Sequence, residues 1–313
     1  MRNAFAEEVT SLAADDKRIV MLPADIGNRL FDKYKEKFPD RFYNCGVAEA
    51  DTIGIAAGMA LCGLRPIAYT INSFITTRCF EQIRVDVCFN NLPVIIAGVG
   101  GGLSYSPLGV THHSCEDIAI MRVLPNMTVI CPGDAFEVRA AIRAALKHKG
   151  PIYIRLGKKG EPLVHKEIPD LKIGKGITIV DGKELCLLST GNMLPTAVNV
   201  GEILKSQGIS AKVISIHTVK PLDKALLSDI FAGFELVATI EEHSLLGGLG
   251  ASIAEWLAEQ MEQQPQKVKQ KTKLLRFGTR DEFLYEVGEQ EYARKYFGLD
   301  AETISKKIYR AIK

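Results

Sequence analysis

The sequence predicts an α/β protein built from two units, and two observations support this fold class. Short runs rich in β-branched residues alternate with longer stretches of helical periodicity, which is typical of a mostly parallel sheet covered by helices. The run GKKGEPLVHKEIPDLKIGK, residues 157–175, is polar and interrupted by Gly and Pro, which indicates a boundary. We therefore predict one unit at residues 1–160, a linker at 161–175 and a second unit at 176–313.

In the first unit, strands and helices are predicted to alternate. Each strand is a short apolar run, and each helix is a longer stretch of helical period. The predicted strands are Ile19–Pro23, Arg41–Cys45, Pro66–Ile71, Pro93–Val99, Thr128–Cys131 and Ile152–Leu156. The predicted helices are Ala4–Ala14, Glu49–Cys62, Phe74–Phe89, Cys115–Arg122 and Ala135–Lys147.

The second unit repeats this alternation. Its predicted strands are Glu184–Ser189, Ser210–Ser215, Leu236–Glu241 and Thr272–Phe277. Its predicted helices are Leu194–Gln207, Lys224–Ile230, Leu249–Glu262 and Ala301–Ile312. Before the last strand, a polar segment carries Lys267, Lys269, Lys271 and Lys273, which predict a solvated loop entering an edge strand rather than a nucleic-acid surface.

Composition excludes several classes of protein. The 313 residues include 39 Lys and Arg against 37 Asp and Glu, and this net charge of +2 argues against nucleic acid or an anionic membrane as the main partner. The longest apolar stretches have about a dozen residues, whereas a membrane-spanning helix needs roughly 20. Acidic residues interrupt the N-terminal segment, so no export signal is predicted. Seven cysteines without a C-x-x-C pair predict reduced, buried thiols in a cytoplasmic protein without a zinc site.

A glycine-rich run, Gly98 to Gly102, follows a predicted strand but does not form a dinucleotide-binding loop. The pattern G-x-G-x-x-G needs glycine at position 103, where Leu103 stands, and no helix is predicted to begin there. The run therefore opens a loop at the carboxyl end of a strand, where α/β sheets place ligands. This loop ends in Thr111-His112-His113. An imidazole here can donate hydrogen bonds or move a proton near neutral pH, although such pairs are often structural.

The most informative segment surrounds Glu49. This residue begins a predicted helix whose next turns, Gly54 to Gly58, are small or apolar, so the helix can approach another backbone closely. A buried carboxylate at its start is costly unless another group bonds it. Taken alone, the pattern also fits a first-turn glutamate that complements the helix dipole.

Together these segments resemble the thiamine-diphosphate enzymes of the transketolase family, and the resemblance covers nearly the whole chain. The segments that carry it, in the family's order and spacing, are 46–49, 54–58, 63–66, 73–80, 111–119 and 124–126. The resemblance implies a parallel-sheet pyrimidine-binding domain in the first unit. It implies a transketolase C-terminal α/β domain in the second.

The resemblance implies three contacts with the cofactor around Glu49. The Glu49 carboxyl group would hydrogen-bond atom N1′ of the aminopyrimidine, which favours the tautomer that removes the proton from thiazolium C2. Val47 would pack against the pyrimidine ring. Asp25, in a strand-end loop, matches an acid that lies near the thiazolium.

The family's aromatic pocket and its substrate histidine are also matched. Phe74 and Phe80 correspond to the aromatic residues around the pyrimidine. Thr77 stands where many transketolases carry another aromatic residue, so the pocket wall differs there. His112 matches the histidine that contacts the reacting hydroxyls of the two-carbon unit, which implies a role in substrate binding and proton transfer.

The acceptor end of the site departs from the family pattern. Lys158 stands where the family often has an arginine for the terminal phosphate of the sugar, and Arg29 lies at a second position for that end. Leu108 replaces a common aspartate that contacts a ketose hydroxyl, and Gly100 replaces a phosphate-binding histidine. The resemblance therefore implies a ketose or aldose that differs from the ordinary pentose-phosphate substrates.

A further domain of the family is missing from these residues. No Gly-Asp-Gly motif for Mg²⁺ and the cofactor diphosphate occurs in the sequence. The resemblance thus implies one subunit of a split transketolase, inactive alone and assembled as a heterotetramer with a diphosphate-binding subunit that holds Mg²⁺ or another divalent ion. Glu241-Glu242-His243 and Gly247 to Gly250 match the third domain of the family, which usually serves in dimer packing.

Two alternatives remain open. The beta subunit of a 2-oxo acid dehydrogenase decarboxylase component has the same two domains, although the segment Thr111 to Ala119 favours transketolase. A non-catalytic subunit that regulates a partner is the other alternative, and the retained Glu49 argues against it.

Overall fold

The computed structural model describes residues 1–263 and 272–313 and consists of two α/β units, each with a mainly parallel sheet. Lys267, Lys269 and Lys271 of the predicted solvated loop lie outside the described residues. Within the described ranges, no helix is long and apolar enough to cross a membrane.

The first sheet contains five strands of the first unit and one strand of the second. In chain order they are β1 Ile19–Pro23, β2 Arg65–Ile71, β3 Ile95–Val99, β4 Thr128–Ile130, β5 Ile152–Leu156 and, after the linker, β9 Thr218–Lys220. The spatial order is β1-β2-β3-β5-β4-β9, and only β9 is antiparallel to its neighbour. β1, β3, β4 and β5 are buried along their whole length because helices cover both faces of the sheet.

Two apolar layers sandwich this sheet. The helices of the first unit are α1 Arg2–Asp15, α2 Asp32–Lys37, α3 Glu49–Leu61, α4 Phe80–Gln82, α5 Asp117–Arg122 and α6 Ala135–Lys147. Residues of α1 and α6 pack on one face, where Phe5 and Val138 are fully buried. Residues of α3 and of the helical stretch around α4 pack on the other face, with Ile53 and Ile83 fully buried.

The prediction of a strand at Arg41–Cys45 is wrong. Pro39–Arg41 is a short 3₁₀ helix, and Phe42 makes only an isolated parallel bridge to Met21. Beyond it, the N–H of Cys45 donates to the carbonyl of Pro23 at 2.9 Å. The segment therefore covers the open edge of β1 without forming a regular ladder, and such a cover discourages pairing with other chains.

The helix predicted at Phe74–Phe89 is present but is mostly of the wider π type. Phe74–Arg78 and Ile83–Phe89 are π-helical and flank α4. Thr76 Oγ1 donates to the Asn72 carbonyl at 2.7 Å, and Cys79 Sγ donates to the Ile75 carbonyl. Such side-chain donors compete with backbone N–H groups for carbonyls four residues back, which favours the wider turns.

The second unit has a five-stranded sheet of order β11-β10-β7-β8-β6. Its strands are β6 Ile177–Val180, β7 Leu185–Ser189, β8 Ala211–Ser215, β10 Leu236–Ser244 and β11 Lys273–Thr279, and its helices are α7 Leu194–Ser206, α8 Lys224–Gly233, α9 Leu249–Gln263, α10 Gln290–Phe297 and α11 Ala301–Ile312. β11 is an edge strand that begins at Lys273, which confirms the predicted edge. β6, β9 and α10, and α2 in the first unit, were not predicted.

Buried polar contacts join the two units. Glu242 Oε1 accepts a hydrogen bond from the backbone N–H of Leu103 at 2.7 Å, and its backbone carbonyl accepts one from Arg155 at 2.9 Å. His243 Nε2 accepts from the N–H of Ala119 at 3.3 Å, and Nδ1 contacts the Ser244 carbonyl at 2.8 Å. Burial lowers the pKa of His243 to about 4, so the ring is neutral at neutral pH. His243 is therefore a structural link between the units.

Asp134 is expected to be a main anchor of the linker. Its buried side chain caps α6 through the N–H groups of Phe136 and Glu137 and accepts from those of Val164 and His165, all at 2.8–2.9 Å. Burial acts to raise the pKa of Asp134, but the His165 imidazole, whose Nδ1 lies 3.2 Å from Oδ2, and these backbone N–H groups lower it to about 2. We expect Asp134→Ala to lower the free energy of unfolding by about 3 kcal/mol in denaturant titrations.

The control for this prediction is Asp300→Ala. Asp300 caps α11 through the N–H of Thr303 alone and should cost only about 1 kcal/mol. Because the folded pKa of Asp134 lies below the value of about 3.9 in unfolded chains, its contribution is complete above about pH 4 and is lost as the pH falls toward 2. Equal losses for the two variants would contradict the anchoring role.

Candidate active site

The candidate site residues lie at the edge of the first sheet where its parallel strands end. Asp25 and Arg29 follow β1, Phe74 follows β2, and the histidine loop follows β3. Lys158 follows β5, the next strand in the sheet. Parallel strands bring their carboxyl ends to one edge, and this edge is where open α/β sheets bind ligands.

Glu49 is a buried carboxylate at the first residue of α3, with 5% of the residue exposed. Its Oε1 atom lies 3.2 Å from Nη1 of Arg78, which forms an ion pair with it. Among the residues that the structure describes, no other group donates to this carboxylate. A mostly buried carboxylate with spare acceptor capacity favours a further donor, and among the described residues Arg78 is the donor that contacts it.

Arg78 joins three residues of the site and was missed by the sequence analysis. Its guanidinium carbon lies 3.9 Å from the centroid of the Phe74 ring while Nη1 contacts Glu49. The Phe74 ring in turn meets the His112 ring edge to face, with centroids 5.1 Å apart. The one available signal was a charged residue inside the segment between Phe74 and Phe80.

His112 is held from several sides. Its Nδ1 atom lies 2.9 Å from Thr111 Oγ1, and the Thr111 carbonyl accepts a hydrogen bond from Ser73 at 2.9 Å. The Tyr105 ring is edge-on to it at 6.4 Å. Partial burial lowers the pKa of His112 below its usual 6.5, and the charges of Arg78 and His113 lower it further. The ring is therefore neutral at neutral pH and can accept a proton.

His113 faces the interior. It is 9% exposed, and its Nε2 atom lies 3.4 Å from the Ser106 carbonyl. Burial lowers its pKa as well. The two adjacent histidines thus separate into one that faces the site and one that packs beneath the loop.

The loop after β1 holds Asp25 in a strained conformation. Asp25 and Arg29 have φ values of 50° and 63°, which residues with a β-carbon seldom adopt. Asn44 fixes Asp25 through two reciprocal hydrogen bonds of 3.0 Å, one to the backbone N–H and one to the carboxylate. Asn44 also accepts from the N–H of Gly46, just before Val47, which is 74% exposed.

Two members of the predicted aromatic pocket occupy different environments. Phe80 is half-buried and packs against the core beneath the helical stretch. Thr77 is exposed, and its hydroxyl donates to the Ser73 carbonyl four residues back. Among the described side chains, Phe74 is the pocket aromatic that contacts both Arg78 and His112.

The position of the Tyr105 ring explains why residue 100 is glycine. A β-carbon at Gly100 would lie 2.2 Å from the Tyr105 ring, and the φ value of Gly100 is +85°. Glycine is therefore required where the family often has a histidine. Leu108, at the tip of the loop, is 56% exposed and contributes no polar group where the family often has aspartate.

The two predicted phosphate-binding residues line separate clefts. Arg29 lines a cleft of about 560 Å³ together with Arg2, Lys33 and Lys159. Lys158 lines a neighbouring cleft of about 310 Å³, which it shares with the acidic Glu161 among others. In the first cleft four basic residues outnumber one acid, Glu7, so this cleft could hold an anion. Sequence reasoning identified only Arg29 among the four.

Among the described residues, no group of three or more His, Cys, Asp or Glu side chains is placed to hold a metal ion. The seven cysteines are free; five are buried, Cys45 is half-buried and Cys62 is exposed.

Comparison with known proteins extends over both units. A family model for the transketolase pyrimidine binding domain matches residues 1–161, and one for the transketolase C-terminal domain matches residues 174–304. A putative transketolase C-terminal section from Methanocaldococcus jannaschii is 37% identical over 100% of this chain and 96% of its own length. A 6-deoxy-6-sulfo-D-fructose transketolase subunit from Clostridium sp. is 35% identical over 97% of this chain and 92% of its own.

A solved structure agrees with these relatives. A protein described as a split gene transketolase, inactive beta4 tetramer, superposes with a TM-score of 0.87 at 33% identity, covering 99% of this chain and 97% of that one. Because family models match both units and these relatives span nearly their whole lengths, the chain belongs to the transketolase family and consists of its pyrimidine-binding and C-terminal domains.

Proposed function

We propose that this chain is one subunit of a two-subunit transketolase that uses thiamine diphosphate. It would move a two-carbon ketol unit from a ketose, phosphorylated or otherwise anionic, to an aldose phosphate. The observation that carries the proposal is the buried Glu49, whose carboxylate has only one donor, Arg78, among the described residues. A protonated or N–H-bearing ring nitrogen is a donor that would satisfy it.

The residues around Glu49 fit the pyrimidine half of the cofactor. The carboxylate offers an acceptor, the exposed Val47 offers an apolar contact and Phe74 offers an aromatic face. When bound, the cofactor supplies the electron sink for cleavage of a bond next to a carbonyl group. Glu49 would hold a proton at the pyrimidine, and Asp25 would lie toward the thiazolium ring.

Substrate contacts are assigned to His112 and to the basic residues. Neutral His112 would bind and relay a proton at the hydroxyls of the two-carbon unit. Arg29, with Arg2 and Lys159 in the same cleft, would bind the terminal anion of the sugar, and Lys158 would add charge at the neighbouring cleft.

We further propose that a diphosphate-binding subunit completes the site and holds Mg²⁺ or another divalent ion, with two copies of each chain. The related beta4 tetramer, which is described as inactive, supports a need for such a partner. The proposed location is the cytoplasm, because the free thiols suit a reducing compartment.

A donor screen tests the reaction class. The complex of this chain with its partner should move two carbons from a ketose to an aldose phosphate. Release of CO₂ from a 2-oxo acid, with no two-carbon transfer between sugars, would instead support the beta subunit of a 2-oxo acid dehydrogenase.

The substitution His112→Ala tests the substrate role. We expect a transfer rate about 100-fold lower, with cofactor affinity little changed, because the ring is assigned to the substrate. Because partial burial lowers the pKa of His112 below 6.5, wild-type turnover should fall only at pH values below 6.5, where His112 becomes protonated. Unchanged kinetics would refute the assignment. His148→Ala is the matched control, because His148 follows α6 and burial also lowers the pKa of its ring.

A further inference from the structure

Arg78 is half exposed, yet its side chain contacts a buried residue of the candidate site. It ends the first π-helical segment, Phe74–Arg78, and its side chain is 50% exposed. The Glu49 side chain that it reaches is only 6% exposed. An arginine at the surface thus extends one guanidinium edge to a buried carboxylate.

The guanidinium is held by two different partners at once. Nη1 lies 3.2 Å from Glu49 Oε1, and the group stacks over the Phe74 ring at 3.9 Å. A planar cation suits both contacts, because it can donate along its edge while its face rests on an aromatic ring. The same Phe74 ring packs against His112. Arg78 therefore restrains Glu49, the residue assigned to the cofactor, directly and His112, the residue assigned to the substrate, through Phe74.

We propose that Arg78 is a positioning residue that fixes the Glu49 carboxylate for the cofactor. It occupies Oε1 and leaves Oε2 for a donor on the ligand. Through Phe74 it also restrains the His112 ring. This inference rests on the proposed function, because it assumes that Glu49 contacts the aminopyrimidine.

The wider π-helical turn is what presents Arg78 in this way. Thr77, the residue before it, donates to the Ser73 carbonyl, as Thr76 and Cys79 donate to the carbonyls of Asn72 and Ile75. These bonds set the backbone on which Phe74 and Arg78 share one side. Thr77 thereby has a structural use in place of the missing aromatic ring.

The test is the dissociation constant of thiamine diphosphate, measured by calorimetry in the two-subunit complex with Mg²⁺ present. Arg78→Met should weaken binding about 5- to 10-fold, a modest loss because the arginine is half exposed. Arg78→Lys keeps the charge but loses the planar stack and should recover part of the affinity. Arg84→Met is the control, because Arg84 lies on the same helical stretch, is 54% exposed and forms a surface ion pair with Glu81.

A double-substitution cycle separates positioning from a general loss of structure. If Arg78 acts through Glu49, Arg78→Met should add little in a Glu49→Gln background. Wild-type affinity in Arg78→Met, or an equal loss in both backgrounds, would overturn the inference. If Arg78→Met does not assemble, Arg78→Lys carries the same cycle.

Turnover and cofactor binding distinguish the role of Glu49 from that of Arg78. Near wild-type turnover of Glu49→Gln would contradict both the proposed function and the positioning role of Arg78. Loss of turnover in Glu49→Gln combined with unchanged cofactor binding in Arg78→Met would remove only the positioning role.

Discussion

Replacing Glu49 with glutamine should lower two-carbon transfer by about 10²- to 10⁴-fold in the complex with the partner, the range associated with loss of a positioned acid or base. Glutamine has nearly the same shape, so the first turn of α3 should be retained. It cannot carry the ionised or protonated carboxyl group that the proposed role needs. Arg78 remains beside position 49, but a guanidinium cation cannot act as the missing carboxyl group.

The measurement for this prediction is turnover at saturating thiamine diphosphate, with unfolding temperature recorded for each variant. Glu81→Gln is the matched control, because Glu81 lies on α4 and forms an exposed ion pair with Arg84. Turnover of Glu49→Gln close to that of wild type would show that the glutamate is not catalytic here.

The second large effect is expected at Gly58, on the outer face of α3. A β-carbon added at Gly54 or Gly58 would meet no atom of residues 1–263 or 272–313 within 4 Å. Ile55 and Leu61 on the same helix are 37% and 70% exposed. Glycine in a helix costs up to about 1 kcal/mol relative to alanine, and no contact among the residues described in the structure accounts for that cost at these positions.

We attribute the two glycines to close approach of the diphosphate-binding partner. α3 begins at Glu49, where a cofactor shared between the two subunits would bring the proposed partner against the helix. Gly54 and Gly58 lie roughly one and a half and two and a half turns further along, on the surface that the partner would continue to cover. Gly58→Leu should therefore leave the isolated chain at least as stable as wild type. Overpacking a close interface costs about 1–3 kcal/mol, so assembly with the partner should weaken about 10- to 100-fold.

The control for Gly58 is Gly233→Leu. Gly233 ends α8, its added β-carbon also meets nothing within 4 Å, and it lies in the second unit away from the site. Sedimentation or light scattering of the mixed subunits measures the difference. Assembly of Gly58→Leu at wild-type affinity would show that the partner does not approach this surface of α3. The catalytic proposal would be unaffected.

Most of the fold follows from local patterns, and the exceptions have physical causes. The buried strands β1 and β3 appear in the sequence as continuous apolar runs, and β5 is interrupted only by Arg155, so all three were predicted nearly to the residue. β9 has three residues and pairs with β4 across the linker, which no local pattern reveals. The segment at Arg41–Cys45 has strand-like composition but makes only part of a ladder. The division into units at residues 160 and 176 remains a prediction.

The site was predictable in position but only partly in contacts. Glu49 and His112 could be identified because their segments carry the family resemblance. The direction of a side chain depends on backbone geometry, so a π-helical turn that brings Arg78 to Glu49 could not be foreseen. The same limit applies to Phe80, which packs toward the core, and to Lys158, which lies in a different cleft from Arg29.

The most direct test of the central claim is a labelled transfer assay on the separate and the mixed subunits. A ketose labelled at its first two carbons is supplied with an aldose phosphate, thiamine diphosphate and Mg²⁺. We expect the label in the lengthened sugar only when this chain and its diphosphate-binding partner are both present. Transfer by this chain alone, or no transfer by an assembled and cofactor-loaded mixture across a broad set of ketoses, would contradict the account.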